Sequence, residues 1–162
     1  ADVAGAWSEV LSAVRGRLED LDEAGEAAYV RYLLAHEGIG STEAEAAALG
    51  ALNAFRASTI WQELGRAAGD VHVEVPLASQ EGDRIRRGVI DLVYRVGDPV
   101  GAGWKIVDYK THPAVTPALT ERFTRQVTLY AEHWEAVSGE PVVERGLWLA
   151  AADGRDRYIA LP

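Results

Sequence analysis

The chain contains no cysteine and no methionine, and only two of its 16 basic residues are lysines. Without cysteine there are no disulfides, no thiolate metal ligands and no cysteine nucleophile. No apolar run is long enough to cross a membrane as a helix, and no secretory signal pattern opens the sequence. A cytoplasmic setting is therefore expected. Methionine is missing even at position 1, so the expectation is a piece cut from a larger protein. Positive charge is also in deficit. The net charge is −9, and residues 1–69 hold 5 basic and 11 acidic side chains against 11 and 14 in residues 70–162. Nucleic-acid affinity comes largely from cation–phosphate contacts, so an acidic chain does not resemble a stand-alone nucleic-acid binder. An acidic site that holds a metal is compatible with this balance. What remains is ordinary for a soluble globular protein: 162 residues, 48% hydrophobic and 25% charged. One domain is expected, a helical segment over 1–69 and an αβ core over 70–162.

Apolar spacing of three and four predicts helices over Ala6–Asp20, Glu26–His36, Glu43–Arg56 and Ser58–Ala67. Ser41 and Thr42 offer an N-cap to the third. At Val71 the period changes to two. Val71, Val73, Val75 and Leu77 are expected on one face of a first strand, with His72 and Glu74 on the other. Strands over 84–96 and 104–110 follow, joined by a loop rich in Gly, Pro and Asp that suggests a hairpin. A helix from Leu119 to Val137 stops at Gly139 and Pro141. A strand over Val142–Ala150 comes next, and Arg157–Leu161 pairs with it after an Asp153-Gly154 turn.

Two of these strands carry a carboxylate inside an apolar run. Asp91 lies between Ile90 and Leu92, and Asp108 follows Ile106 and Val107. A carboxylate in such a place costs free energy unless it is paired or bound to a cation. One account is structural: Asp91 answers an arginine such as Arg95, and Asp108 with Lys110 forms an ion pair at a strand end. The other is functional: the two carboxylates hold Mg²⁺ or Mn²⁺, hard cations that prefer oxygen ligands. Strand alternation puts Asp108 and Lys110 on one face. Where arginine is the default cation, a lysine in that register is suggestive, because it is a compact point charge and not a rigid fork.

These residues together resemble the PD-(D/E)XK nucleases, and within them the nuclease domain at the C-terminal end of RecB- and AddA-type helicase–nucleases. The resemblance rests on Glu74-Val75-Pro76, Gly88-Val89-Ile90-Asp91, Trp104 to Thr111 with Asp108-Tyr109-Lys110 inside it, and Gln126 with Tyr130 on the next helix. It spans roughly residues 70–150. It implies an α/β fold with a restriction-endonuclease-like mixed sheet flanked by helices, preceded here by the acidic helical segment. It implies Mg²⁺- or Mn²⁺-dependent hydrolysis of DNA phosphodiesters, as an exonuclease or endonuclease, in double-strand-break repair and recombination. Asp91, Asp108, Lys110 and Glu74 would be the catalytic residues. Asp91, Asp108 and the Tyr109 carbonyl would hold the metal, and Gln126 and Tyr130 would contact the nucleic acid or order the site. DNA, the helicase domains of the same parent chain and a second helicase–nuclease subunit are the implied partners.

The sequence departs from that pattern at one place. The family usually carries a metal-binding histidine on an early helix, and Ala1–Asp20 contain none; Ser12, or Glu9 in an offset alignment, stands nearest. The alternative function is accordingly a catalytically inactive nuclease-like module that serves as a structural or DNA-guiding part of a helicase complex. Among the four histidines, His36 sits near a helix end, His72 is expected in solvent, His133 lies beside Trp134, and His112 follows the Asp-x-Lys strand closely enough to approach a cleft. Arg122 and Arg125 could meet phosphates from the long helix.

Overall fold

The computed structural model describes residues 23–67, 70–81, 84–97, 102–152 and 157–162. The predicted Ala6–Asp20 helix, with Ser12 and Glu9, and the Asp153-Gly154 turn lie outside them. The chain divides into two compact units, Ala1–Trp61 and Gln62–Pro162. In the first, α1 (Glu23–His36) and α2 (Thr42–Arg56) pack through Val30, Leu34 and Ala48. The Ser41 hydroxyl caps α2, accepting the Ala44 N–H at 3.1 Å and satisfying one of the unpaired donors of its first turn. A short helix, α3 (Thr59–Arg66), runs across the boundary between the units.

The second unit is a five-stranded mixed sheet in the order β1-β2-β3-β4-β5. The strands are β1 (Val71–Glu81), β2 (Arg84–Val96), β3 (Gly103–Lys110), β4 (Val142–Leu149) and β5 (Tyr158–Leu161). Neighbours pair antiparallel except β3 and β4, which are parallel and joined by α4 (Pro117–Ser138). A parallel pair needs such a crossover, and α4 supplies it along one face of the sheet. Thr116 caps α4 and Pro117 opens it, where a missing N–H costs nothing. Gly139 closes it in the left-handed conformation, φ 73°. This is the mixed α/β sheet flanked by helices that the sequence leads one to expect.

β3 lies in the middle of the sheet and is buried from Gly103 through Asp108. Its α4 face carries Trp104 and Ile106, packed with Phe123, Val127, Tyr130, Ala131 and Trp134 of α4. The opposite face carries Lys105, which is 3% exposed. Its ammonium lies 3.1 Å from Glu63 and 2.9 Å from Glu144, with the Tyr158 ring at 4.4 Å. The Tyr94 hydroxyl donates to Glu63 and the Tyr158 hydroxyl to Glu144, each at 2.6 Å. Burial and these carboxylates push both phenols well above their ordinary pKa.

The first strand departs from simple alternation. The His72 ring packs against Trp104 and Trp134 at 5.6 and 5.2 Å, on the α4 side, even though the residue as a whole is solvent-exposed. Val75 and Leu77 pack against the same core cluster. Positions 72, 75 and 77 cannot share a face of a regular strand, so the single apolar face expected from Val71 to Leu77 is corrected. The pleat changes phase at Glu74, whose φ is +51°. A non-glycine residue in that region carries a steric cost, and neighbouring packing holds it there.

Replacing Lys105 with methionine would leave two carboxylates facing each other with no cation between them. Because Glu63 and Glu144 are partly exposed, the expected loss of stability is about 2–3 kcal/mol, below that of a fully buried pair. Urea denaturation of Lys105→Met against the wild-type chain measures it, and an unchanged midpoint would rule out this role.

Candidate active site

β2 and β3 bring the two aspartates together through the register of their antiparallel pairing. Leu92 pairs with Val107, so Asp91 and Asp108 are the next residues beyond that pair on antiparallel neighbours. The Tyr109 N–H donates to Oδ2 of Asp91 at 2.7 Å, tying one carboxylate to the strand that carries the other. Asp108 is 2% exposed. Lys110 Nζ approaches its Oδ2 at 2.5 Å as an ion pair. The Lys110 ammonium is the polar neighbour of that oxygen among the described residues.

The lysine is held from three sides. Besides Asp108, its ammonium donates to Gln126 Oε1 at 3.3 Å and lies 4.6 Å from the Phe123 ring. Gln126 Nε2 donates in turn to the Tyr130 hydroxyl at 2.6 Å. Gln126 and Tyr130 are one helical turn apart, so they present neighbouring groups on one face of α4. The Tyr130 ring needs Gly88 beneath it: a Cβ there would lie 3.2 Å from the ring. The pieces Gly88–Asp91, Asp108–Lys110 and Gln126–Tyr130, far apart in sequence, thus form one continuous constellation.

Electrostatics follow from this packing. Burial, then the charge of Asp108, pushes Asp91 up to about 7, against the Tyr109 N–H and Lys110, which pull it down. Burial also raises Asp108, and Lys110 opposes the rise. Two carboxylates side by side, Asp108 buried and Asp91 half-buried, resist joint ionisation until a cation arrives. Two adjacent carboxylates that both resist ionisation, an all-oxygen donor set, fit a hard divalent cation. Glu74 stands opposite Asp91 in the β1–β2 ladder, between the pairs Val73–Leu92 and Val75–Ile90, and its charge adds to the rise of the Asp91 pKa. Among the described residues no three acidic or histidine side chains already converge in a metal-ligating cluster.

The structural alternative for Asp91 is excluded in one respect. Arg95 is engaged elsewhere, in a two-pronged pair with Glu140 at 2.6 and 2.9 Å, where Trp104 Nε1 also donates. The ion pair expected between Asp108 and Lys110 is present. Tyr109 enters through its N–H. His112 packs edge-on against Phe123 at 5.6 Å, and its Nδ1 is buried without a partner among the described residues. His36 lies 3.8 Å from Glu37 on the exposed end of α1. Sequence reasoning missed Phe123 as the floor under Lys110; its place at α4 spacing from Val127 and Tyr130 signalled a core position only.

The raised pKa of Asp91 has a signed consequence. Unfolded, the group ionises near 3.8; folded, near 7. Between these values the folded state holds a proton that the unfolded state has lost, so its contribution to stability is full below about pH 4 and is lost as pH rises through 7. Without divalent metal, wild-type Tm should fall from pH 5 to pH 8 by more than that of Asp91→Asn. Parallel thermal melts across that range test this, and identical pH profiles would count against a proton on Asp91.

A comparison with protein families matches residues 4–161 to the PD-(D/E)XK nuclease superfamily. No curated protein matches the chain in a sequence comparison. The match runs across nearly the whole sequence and includes both aspartates, Lys110, Gln126 and Tyr130; the chain belongs to the PD-(D/E)XK nuclease superfamily.

Proposed function

We propose that this chain is a Mg²⁺- or Mn²⁺-dependent DNA nuclease, with Asp91 and Asp108 as metal ligands and Lys110 beside them. The observation that carries the reading is a pair of carboxylates set side by side on neighbouring strands, Asp108 buried and Asp91 half-buried, with an ammonium fixed against one of them. When bound there, a divalent cation supplies a water of lowered pKa and neutralises charge on the phosphate. The chain's own groups do the rest. Asp91 and Asp108 would hold the cation, whose charge would favour their ionised forms. Lys110, gripped by Asp108 and Gln126, presents positive charge where the phosphate charge grows, with no reorganisation required. Glu74 contributes a further carboxylate opposite Asp91, and the Tyr109 carbonyl a further oxygen toward the metal. Gln126 and Tyr130 fix the lysine and face the substrate.

The finer reading is a nuclease domain of a RecB- or AddA-type helicase–nuclease that acts in double-strand-break repair and recombination in the cytoplasm. The helicase domains of its own parent chain and a second helicase–nuclease subunit are its proposed partners. The Glu74–Pro76, Gly88–Asp91, Trp104–Thr111 and Gln126/Tyr130 motifs support it, in that order along the chain. The alternative, a DNA-guiding module without activity, is favoured by one observation: residues 1–20 offer no histidine to the metal.

The experiment is cleavage of labelled DNA in Mg²⁺ and in Mn²⁺, with Mn²⁺ binding followed by calorimetry. Asp108→Ala should lose both binding and cleavage. Lys110→Ala and Lys110→Arg should fold and bind Mn²⁺, yet cut about 10²-fold more slowly or worse, because a guanidinium is wider than an ammonium and its donors are misplaced. Wild type that binds metal and cuts nothing establishes the inactive module. Cleavage by Lys110→Arg at the wild-type rate removes the role given to the lysine.

A further inference from the structure

Beside Gln126 and Tyr130 the second unit carries an open groove of about 940 Å³. One wall is the β1–β2 ladder, where Leu77 pairs with Gly88 and Arg87 projects next to it. The other wall is α4, from Arg122 to His133. The groove reverses the sign of the molecule. In a chain of net charge −9 its lining holds three arginines, Arg87, Arg122 and Arg125, against a single carboxylate, Glu132. Arg125 is already engaged, 2.5 Å from Glu121 one turn away. Arg87 and Arg122 are exposed and have no ion-pair partner among the described residues. The lining also includes Leu129, 47% exposed, the partly buried Leu77, and the hydroxyls of Thr124 and Thr128.

We infer that this groove grips the polynucleotide backbone beside the phosphate being cut, with Arg87 and Arg122 as phosphate-positioning residues on opposite walls. The inference rests on the nuclease reading for its direction, since Gln126 and Tyr130 line the groove and also hold Lys110. Charge selects the occupant. Forked guanidinium groups match phosphate oxygens in pairs of hydrogen bonds. The exposed Leu129 gives sugars and bases apolar ground beside the phosphates. A polyanion of regular spacing uses both features, and the cationic groove offsets the repulsion that the rest of the acidic surface imposes on it.

The test uses the full chain, with Arg87→Ala, Arg122→Ala and the double variant. Binding of a fluorescent 20-residue oligodeoxythymidylate is measured without divalent metal across a salt series. Each arginine that meets a phosphate contributes about 0.7 to the slope of log affinity against log salt for a single strand, so each single variant should lose about 0.7 and the double variant about 1.4. Affinity at fixed salt should fall about tenfold for each, as for a lost hydrogen bond to a charged group. Arg87→Lys should restore most of the slope, a rescue that a packing role would not give. In cleavage, KM for the 20-mer should rise more than kcat falls, and the gain in kcat/KM from a dinucleotide to the 20-mer should shrink about tenfold in the double variant. A double variant with wild-type affinity and slope, or a wild-type chain without salt-dependent binding, overturns the inference. Arginine-dependent binding with no cleavage of either substrate keeps the groove and sinks the nuclease reading. Cleavage with an unchanged length gain in the double variant keeps the nuclease and sinks the groove.

Discussion

Two carboxylates set side by side in an apolar sheet, Asp108 buried and Asp91 half-buried, are the constraint around which the second unit is built. Neither Asp91 nor Asp108 can ionise there at ordinary cost, and the fold answers with a specific set of groups. The Tyr109 N–H meets Asp91, and Lys110 meets Asp108. Lys110 is positioned by Gln126, and Gln126 lies against Tyr130, whose ring sits over the bare backbone of Gly88. Each member explains the next. The compensation is incomplete, because the Asp91 pKa stays raised to about 7 despite the Tyr109 N–H and Lys110. An arrangement serving stability alone would have closed that gap, since replacing buried ionic groups by packed apolar ones is often neutral or stabilising. The residual frustration is what a cation would relieve.

β3 distributes the only two lysines of the chain to opposite faces of one strand. Lys105 is enclosed by Glu63, Glu144, Tyr94 and Tyr158 and is fully engaged. Lys110 is held by fewer groups and borders the groove residues. The same residue type, five positions apart, thus serves a closed structural network on one side and the proposed reactive one on the other. Burial with partners on every side distinguishes the first; an open flank distinguishes the second. β3 carries both because it is central, with α4 against one face and the tyrosine–carboxylate network on the other.

Most of the architecture was legible in advance because period and punctuation encode it. The change at Val71 from a helical to a twofold pattern marks the start of the sheet, and Thr116-Pro117 and Gly139 bound α4 within two residues of where they were expected. The candidate site residues stand out in the sequence for a different reason. A carboxylate between Ile90 and Leu92, and another after Val107, conflict with their surroundings, and local conflict of this kind gathers at functional positions. The resemblance then tied Gln126 and Tyr130 to them.

The sequence by itself determined which residues are chemically out of place, and the order of strands and helices, since these depend on side-chain type and short-range spacing. It could not determine the phase change at Glu74, because a positive φ at a non-glycine residue is imposed by packing and leaves no trace in composition. Nor could it assign His72 to Trp104 and Trp134, or Arg95 to Glu140, because those partners are brought close only by strand register. The groove is likewise a tertiary fact. Arg87 and Arg122 lie 35 residues apart on a strand and a helix, and only the crossover from β3 to β4 through α4 sets them on facing walls of one cationic surface in an acidic chain.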